Sequence, residues 1–177
     1  MVWFVAFLRG INVGGRVVVK QTLKDVFVSL GFSDFSTFKQ SGNVIFQTQE
    51  LDSQELIRNI EAKLQTTLGY PVAVFIRTIK QLKDMLDLDP FRDQIPEGTS
   101  FLVTFLPTAQ TQLTYELPFI IPKSTAKVIN ACGTEVFSVT HCGGEGALPN
   151  PFIESKFKVK ATTRNLNVIR GIVKKYG

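Results

Sequence analysis

Near the amino terminus the chain reads Phe7-Leu8-Arg9-Gly10-Ile11-Asn12-Val13-Gly14-Gly15-Arg16, where an apolar run ends in a glycine-rich segment. Residues 2–8 are apolar throughout, which predicts a β-strand buried on both faces. A helical pattern begins near Lys20. A glycine-rich loop between a strand and a helix can present backbone N–H groups to an anion, and glycine lets the backbone approach a ligand closely. This loop is therefore the first candidate for a binding site.

The rest of the first half predicts the element order β-α-β-β-α-β, which is typical of ferredoxin-like folds. Gly31 ends the first helix, and Asp52 with Glu55 resembles a capping box at the start of the second. The predicted elements are strands at residues 2–8, 35–39, 44–47 and 72–76, helices at 20–30, between 52 and 69, and at about 79–86, and a tight hairpin turn at 40–43.

The second half repeats this order in a degenerate form. We predict a strand at 100–106, a weak helix at 108–119, a hairpin of strands at 128–131 and 135–140, a short helix at 152–157, a final helix at 163–176 and no final strand. The predicted fold is α+β, with duplicated ferredoxin-like (βαββαβ) units, antiparallel or mixed sheets, and helices on one face. The predicted boundaries are 1–88 for the first subdomain, 89–99 for a connector and 100–177 for the second subdomain.

Composition and charge limit the class of protein. Apolar residues make up 44% and charged residues 20% of the 177 positions, as in ordinary globular proteins. The sequence has no transmembrane run and no signal peptide, and its two cysteines match neither a disulfide framework nor a zinc site, so we expect a cytoplasmic protein without a metal. Residues 155–177 carry seven basic and no acidic residues, and such a segment can attract anionic partners or can simply be a solvated helix face.

The predicted topology brings several polar residues together. In a ferredoxin-like unit the first two strands run parallel, and the third lies antiparallel beside the first. The end of the first strand, the hairpin turn and the start of the first helix then meet at one sheet edge. The candidate ligand-binding residues that this topology brings to the edge are Arg9, Asn12, Gly14, Gly15, Gln40, Ser41 and Asn43, and Gly10 and Gly42 lie in the same two segments. Each also has a structural interpretation, because glycines serve turns, asparagines bond nearby backbone, and arginine pairs with carboxylates.

A further candidate segment opens the predicted final helix and contains Thr162, Thr163, Arg164 and Asn165. Thr162 or Thr163 is expected to cap the helix. Arg164 would then lie in the first turn, where the helix dipole disfavours a cation. This placement indicates an anion nearby, which is either a carboxylate of the protein or a ligand. We predict that Arg164 faces the same cleft as Arg9.

Three of these segments resemble domain-of-unknown-function family 1697. They are Phe7-Leu8-Arg9-Gly10-Ile11-Asn12-Val13-Gly14-Gly15, Gln40-Ser41-Gly42-Asn43-Val44 and Ala161-Thr162-Thr163-Arg164-Asn165. The resemblance covers essentially the whole chain and implies a duplicated α+β fold with ferredoxin-like units, without an established activity. The chain departs from the family pattern near Val19, where proline is usual, and at Leu166, where tryptophan is frequent.

The residue types favour binding over catalysis. The glycine-rich segment has neither the Walker A pattern nor the dinucleotide-binding spacing. Arginine, asparagine, glutamine, serine and threonine supply no obvious general base near neutral pH, so catalytic residues and enzymatic activity stay open. We therefore predict a binder of a small anion, bearing phosphate, a nucleotide or carboxylate, without a cofactor. The alternatives are a single-stranded nucleic-acid-binding module that uses the basic carboxy-terminal segment, and a scaffold protein of undetermined oligomeric state.

Overall fold

A computed structural model describes the chain except Val13, Arg16, residues 95–97, residues 108–115, Lys123 and residues 142–148, and except the side chains of Gln40 and Ser41. The chain divides into two compact units. Unit 1 comprises Met1–Asp84 and Ile172–Gly177, and unit 2 comprises Met85–Gly171. The described residues form five helices and two antiparallel sheets, which confirms the predicted α+β class.

Unit 1 follows the predicted element order. Its elements are β1 (Val2–Leu8), α1 (Lys20–Ser29), β2 (Ser33–Phe38), β3 (Gln40–Thr48), α2 (Ser53–Leu68), β4 (Val74–Thr78) and α3 (Ile79–Asp87), the last of which continues into unit 2. The sheet has the order β2-β3-β1-β4, and every neighbouring pair is antiparallel.

The core of unit 1 lies between this sheet and the helices α1 and α2. Alternate residues of β1, including Phe4, Ala6 and Leu8, pack against apolar side chains of both helices. The intervening residues Val5 and Phe7 are also completely buried. Strand β1 is therefore buried on both faces, as its apolar sequence predicts.

The end of the chain belongs to unit 1. The Tyr176 hydroxyl lies 2.6 Å from the Ser36 Oγ. The ring of Tyr176 also packs against that of Trp3, with 5.1 Å between the centroids. Since Trp3 lies in β1 and Ser36 in β2, these contacts fix the last residues on the sheet of unit 1.

The predicted hairpin turn at residues 40–43 is wrong. Strand β3 already begins at Gln40, and Phe38 pairs with Gln40 across Lys39. The chain reverses at Lys39, which adopts a left-handed conformation with φ of 59°. Asn43 lies in the strand, where its side chain donates a 3.1 Å hydrogen bond to the Phe38 carbonyl. The Ser-Gly and Gly-Asn pairs predicted a hairpin correctly but misplaced its turn.

Unit 2 contains the second sheet, which has the order β6-β7-β8-β5-β9. Its elements are β5 (Thr99–Phe105), β6 (Phe119–Ile120), β7 (Ala126–Cys132), β8 (Glu135–His141), α4 (Asn150–Phe157), β9 (Thr162–Asn165) and the start of α5 (Leu166–Tyr176). One side of the sheet packs against Ile153 of α4 through residues such as Val128 and Val136.

Two predictions for unit 2 are wrong. A final strand exists, because Thr162–Asn165 forms β9 and pairs antiparallel with β5. The last helix consequently begins at Leu166. Of the predicted helix at 108–119, residues 108–115 lie outside the described residues, and the described end is not helical but leads into β6 at Phe119.

Among the residues that the structure describes, no helix is both long enough and apolar enough to cross a membrane.

Candidate functional site

The glycine loop, defined as residues 9–15, starts directly after β1. The backbone N–H of Arg9 donates a 2.9 Å hydrogen bond to the Ala73 carbonyl, which keeps Arg9 beside the chain that enters β4. Gly10, Gly14 and Gly15 have φ values of 70°, 66° and 79°. These left-handed conformations favour glycine because it has no Cβ. A Cβ added at any of the three would meet no atom within 4 Å, so the space beside them is open.

Asn12 stabilises the loop from within. It adopts φ of 59°, and its Oδ1 accepts a 2.6 Å hydrogen bond from the backbone N–H of Val18. This bond closes a ring that joins the Asn12 side chain to the backbone of Val18. Ile11, which precedes Asn12, and Val18 are both buried in the core of unit 1. The structural interpretation of Asn12 is therefore supported, because its side chain links the glycine loop to the backbone that leads into α1.

The strand register brings the loop and the hairpin segment to one edge of the sheet. Phe7 of β1 lies opposite Asn43, and Leu8 lies opposite Val74. Asn43 is only 3% exposed and holds the hairpin through the Phe38 carbonyl. Gly42 is buried beside Asn43, whereas the predicted side-chain roles of Gln40 and Ser41 lie outside the described residues.

The helix that follows the loop has an uncapped start. Val19 occupies the N-cap position of α1, and no side chain in the described part of the chain caps the helix. The first turn contains no acidic residue, and its first residue is Lys20. Helix α2 is the opposite case, because the Asp52 side chain accepts hydrogen bonds from the N–H groups of Gln54 and Glu55 at 2.8 Å and 3.2 Å. The start of α1 is therefore the more attractive of the two to an anion.

The segment Thr162–Asn165 belongs to unit 2 and forms a strand rather than a helix start. Thr163 bonds Thr104, with 2.7 Å between the hydroxyl oxygens, and also donates to the Oδ1 of Asn150. Asn165, not Thr162 or Thr163, caps α5, because its Oδ1 accepts a 2.9 Å bond from the N–H of Asn167. The predicted cap was placed too early because threonine is favoured both at N-caps and in strands.

Arg164 is partly buried and bonds its own strand. Its Nη1 donates to the Thr162 Oγ1 at 2.7 Å and to the Thr163 carbonyl at 2.8 Å. Burial lowers the pKa of the guanidinium to about 10, so that Arg164 keeps its charge at neutral pH. The prediction that Arg164 and Arg9 serve one ligand stays a prediction.

Arg77 of β4 was missed by the sequence analysis. It is 9% exposed, and its Nη1 donates a 2.7 Å hydrogen bond to the Ile76 carbonyl. The sequence feature that could have indicated Arg77 is its position as a charged residue directly after the apolar run at residues 72–76.

Metal-binding chemistry finds no support in the part of the chain that the structure describes, since no group of three or more histidine, cysteine or acidic side chains could hold an ion there. Cys132 is an exposed free thiol. Cys142 lies outside the described residues.

Comparisons with known proteins agree with the resemblance found in the sequence. The chain is similar in structure to the conserved bacterial protein SP0830 from Streptococcus pneumoniae, with a TM-score of 0.70 and 18% sequence identity over 99% of each chain. At this identity the likeness shows a shared fold alone. No curated protein matches the chain. The model of a family described as "Protein of unknown function (DUF1697)" matches residues 1–133, and the chain belongs to this family.

Proposed function

We propose that the chain binds a small anion, bearing a phosphate or carboxylate group, at the glycine loop of unit 1. The observation that carries this proposal is the restraint that Asn12 places on the loop. Asn12 closes it through the 2.6 Å bond to Val18, and open space lies beside Gly14 and Gly15. A loop that is restrained by such a bond loses less conformational entropy on binding a ligand than an unrestrained loop does.

The charges around the loop support an anion as the ligand. Arg9 leads into the loop and Lys20 opens the helix that follows it. A guanidinium can donate two parallel hydrogen bonds to a carboxylate or phosphate, and an uncapped helix start offers further N–H donors. We assign the charge to Arg9, the N–H donors to the loop glycines, and the shaping of the site to Asn12 and Asn43.

The predicted contribution of Thr162–Asn165 is retained as a separate hypothesis. Arg164 is the residue of that segment with a positive charge, and its bonds to Thr162 and Thr163 hold the guanidinium in one orientation. A variant of Arg164 tests this contribution independently of the glycine loop.

We also infer that the two units are duplicated ferredoxin-like units, of which the second is degenerate. The order β7-β8-β5-β9 in unit 2 matches the order β2-β3-β1-β4 in unit 1, with β6 added at one edge. The first strands also share sequence, with Val-Ala-Phe-Leu at residues 5–8 and Val-Thr-Phe-Leu at residues 103–106. These two observations support the finer fold prediction.

A thermal-shift panel of nucleotides, sugar phosphates and small carboxylates tests the proposed function. A ligand present at 100 times its Kd should raise the Tm by about 5–10 °C. Arg9→Ala should weaken binding by about tenfold or more, because one charge-assisted hydrogen bond is lost.

Arg58→Ala is the matched control, since Arg58 is exposed on α2, and it should bind like the wild type. If no compound raises the Tm, or if Arg9→Ala and Arg58→Ala bind equally well, the proposal is wrong.

Single-stranded nucleic-acid binding is the weaker alternative. Lys156, Lys158 and Lys160 are exposed and would supply its positive charge. Ferredoxin-like RNA binders stack bases on exposed aromatic side chains of their central strands, whereas residues 4–8 of β1 and 42–46 of β3 are all buried. Salt-dependent binding that is lost when the three lysines are neutralised would favour this alternative.

A further inference from the structure

Two exposed valines stand beside the glycine loop. Val17 is 80% exposed and Val19 is 57% exposed, whereas Val18 between them is 7% exposed. Val18 is held in the core and donates its N–H to Asn12. Because Val18 is fixed inward, its two neighbours are held outward, next to the ring that Asn12 closes.

These valines differ from the other exposed apolar residues. Among the described residues, the remaining large apolar side chains with high exposure are scattered along the chain at Met1, Val28, Leu51, Leu88 and Ile120. Val17 and Val19 differ from these residues because they lie only two positions apart in the sequence. Single exposed apolar residues need no explanation, whereas a cluster of them beside a candidate site indicates an interaction.

Folding alone does not explain valine at these positions. Val19 is the N-cap residue of α1, a position at which valine is among the least favourable residues. A site that departs from local folding preferences indicates a functional constraint. Lys20 adjoins Val19 in the sequence, and Arg9 is the first residue of the loop, so cationic residues flank the loop and the exposed valines in the sequence.

We infer that the ligand is an amphipathic anion, a small carboxylate or phosphate monoester that carries an aliphatic or aromatic group. This inference rests on the proposed function, because it takes the anionic group to lie at the loop and Arg9. The apolar group of the ligand covers Val17 and Val19. Attraction to the positive charge favours binding of the ligand's anionic end at the loop. Removal of apolar surface from water favours contact of its apolar end with the two valines.

A series of linear carboxylates from acetate to hexanoate tests the inference by calorimetric titration of the full chain. Complete burial of a CH₂ group increases affinity about fourfold, and a ligand covered on one side by two valines should gain about twofold for each CH₂. Hexanoate should therefore bind about 16-fold more tightly than acetate. V17S/V19A should abolish most of this gain.

V28S is the matched control, because Val28 is 53% exposed on α1 and lies away from the loop in sequence; it should keep the full dependence on chain length. Equal affinities for acetate and hexanoate in the wild type would overturn the inference alone, as would an unchanged gain in V17S/V19A or in the single variant V17S. Carboxylate binding that Arg9→Ala does not weaken would overturn the proposed function instead. Binding to anionic phospholipid vesicles without any binding of free carboxylates would also overturn the inference.

Discussion

Unit 1 and unit 2 pair their strands in the same order but line the helix-facing side of the sheet differently. In unit 1, Val5 of β1 lies opposite Arg77, and in unit 2, Val103 of β5 lies opposite Arg164. When the two sheets are aligned on these pairs, Ala6, Phe46 and Ile76 of unit 1 correspond to Thr104, Ser138 and Thr163 of unit 2, respectively. The first three residues are part of an apolar core, and the second three are buried polar residues.

The two units are alike at the end of the last strand of each sheet, where an arginine and a helix cap follow one another. Both arginines donate from Nη1 to the carbonyl of the preceding residue, at 2.7 Å for Arg77 and 2.8 Å for Arg164. In both units the residue after this arginine caps the following helix. The Thr78 Oγ1 accepts a 3.0 Å hydrogen bond from the N–H of Gln81, and the Asn165 Oδ1 accepts one from the N–H of Asn167. The end of the last strand is thus built alike in both units.

The polar core of unit 2 is only partly satisfied. Thr104 and Thr163 bond each other, and Thr163 also donates to Asn150. The Ser138 hydroxyl is completely buried and makes no hydrogen bond to any residue that the structure describes. Since an unpaired buried hydroxyl loses its bonds to water without replacement, Ser138 should contribute little to stability or even lower it.

The largest predicted effect is that of Phe46→Ala in unit 1. Phe46 is completely buried, and its ring lies 4.6 Å from that of Phe32 and 5.2 Å from that of Phe27, measured between centroids. Removal of this ring should lower the free energy of unfolding by about 3–5 kcal/mol, because it leaves a cavity in the core. Urea unfolding checks the value, and Phe46→Leu should cost much less because it retains most of the volume. A loss below 1 kcal/mol for Phe46→Ala would contradict the assignment of Phe46 to a tightly packed core.

The equivalent change in unit 2 should have the smaller effect. Ser138→Ala removes a hydroxyl that has no partner among the described residues, so the free energy of unfolding should stay within about 0.5 kcal/mol of the wild type or increase by up to about 1 kcal/mol. The same urea titration measures it. A loss of 2 kcal/mol or more, well above that of a neutral change, would mean that the Ser138 hydroxyl is paired in solution.

Periodicity predicted the helices of unit 1 well. Helix α2 repeats apolar residues at Leu56, Ile60 and Leu64, all of which are buried, and Asp52 caps it as the capping box predicts. The pattern for α1 places its start correctly at Lys20. These signals are local, so a single sequence contains them.

Two features that the sequence did not reveal are a short edge strand in unit 2 and the position of a tight turn in unit 1. Strand β9 has four residues, and its two threonines fit a helix cap equally well; its pairing with β5 makes it a strand. The hairpin turn was misplaced because Lys39, a residue without a turn signal, adopts the left-handed conformation. The antiparallel pairing of β1 with β3, which places Phe7 opposite Asn43, could be predicted because strand order and direction follow from the βαββαβ pattern.

The most direct test of anion binding at the glycine loop is a titration with inorganic phosphate, followed by the backbone amide signals of glycine residues in ¹H–¹⁵N correlation spectra. Gly10, Gly14 and Gly15 should shift in a saturable manner, because their N–H groups would contact the anion. Gly31 and Gly69, which have similar left-handed conformations at helix ends, are internal controls and should not move. In Arg9→Ala the shifts should need about tenfold more phosphate. Loop signals that do not move, or that move equally in Arg9→Ala and in the wild type, would contradict the account.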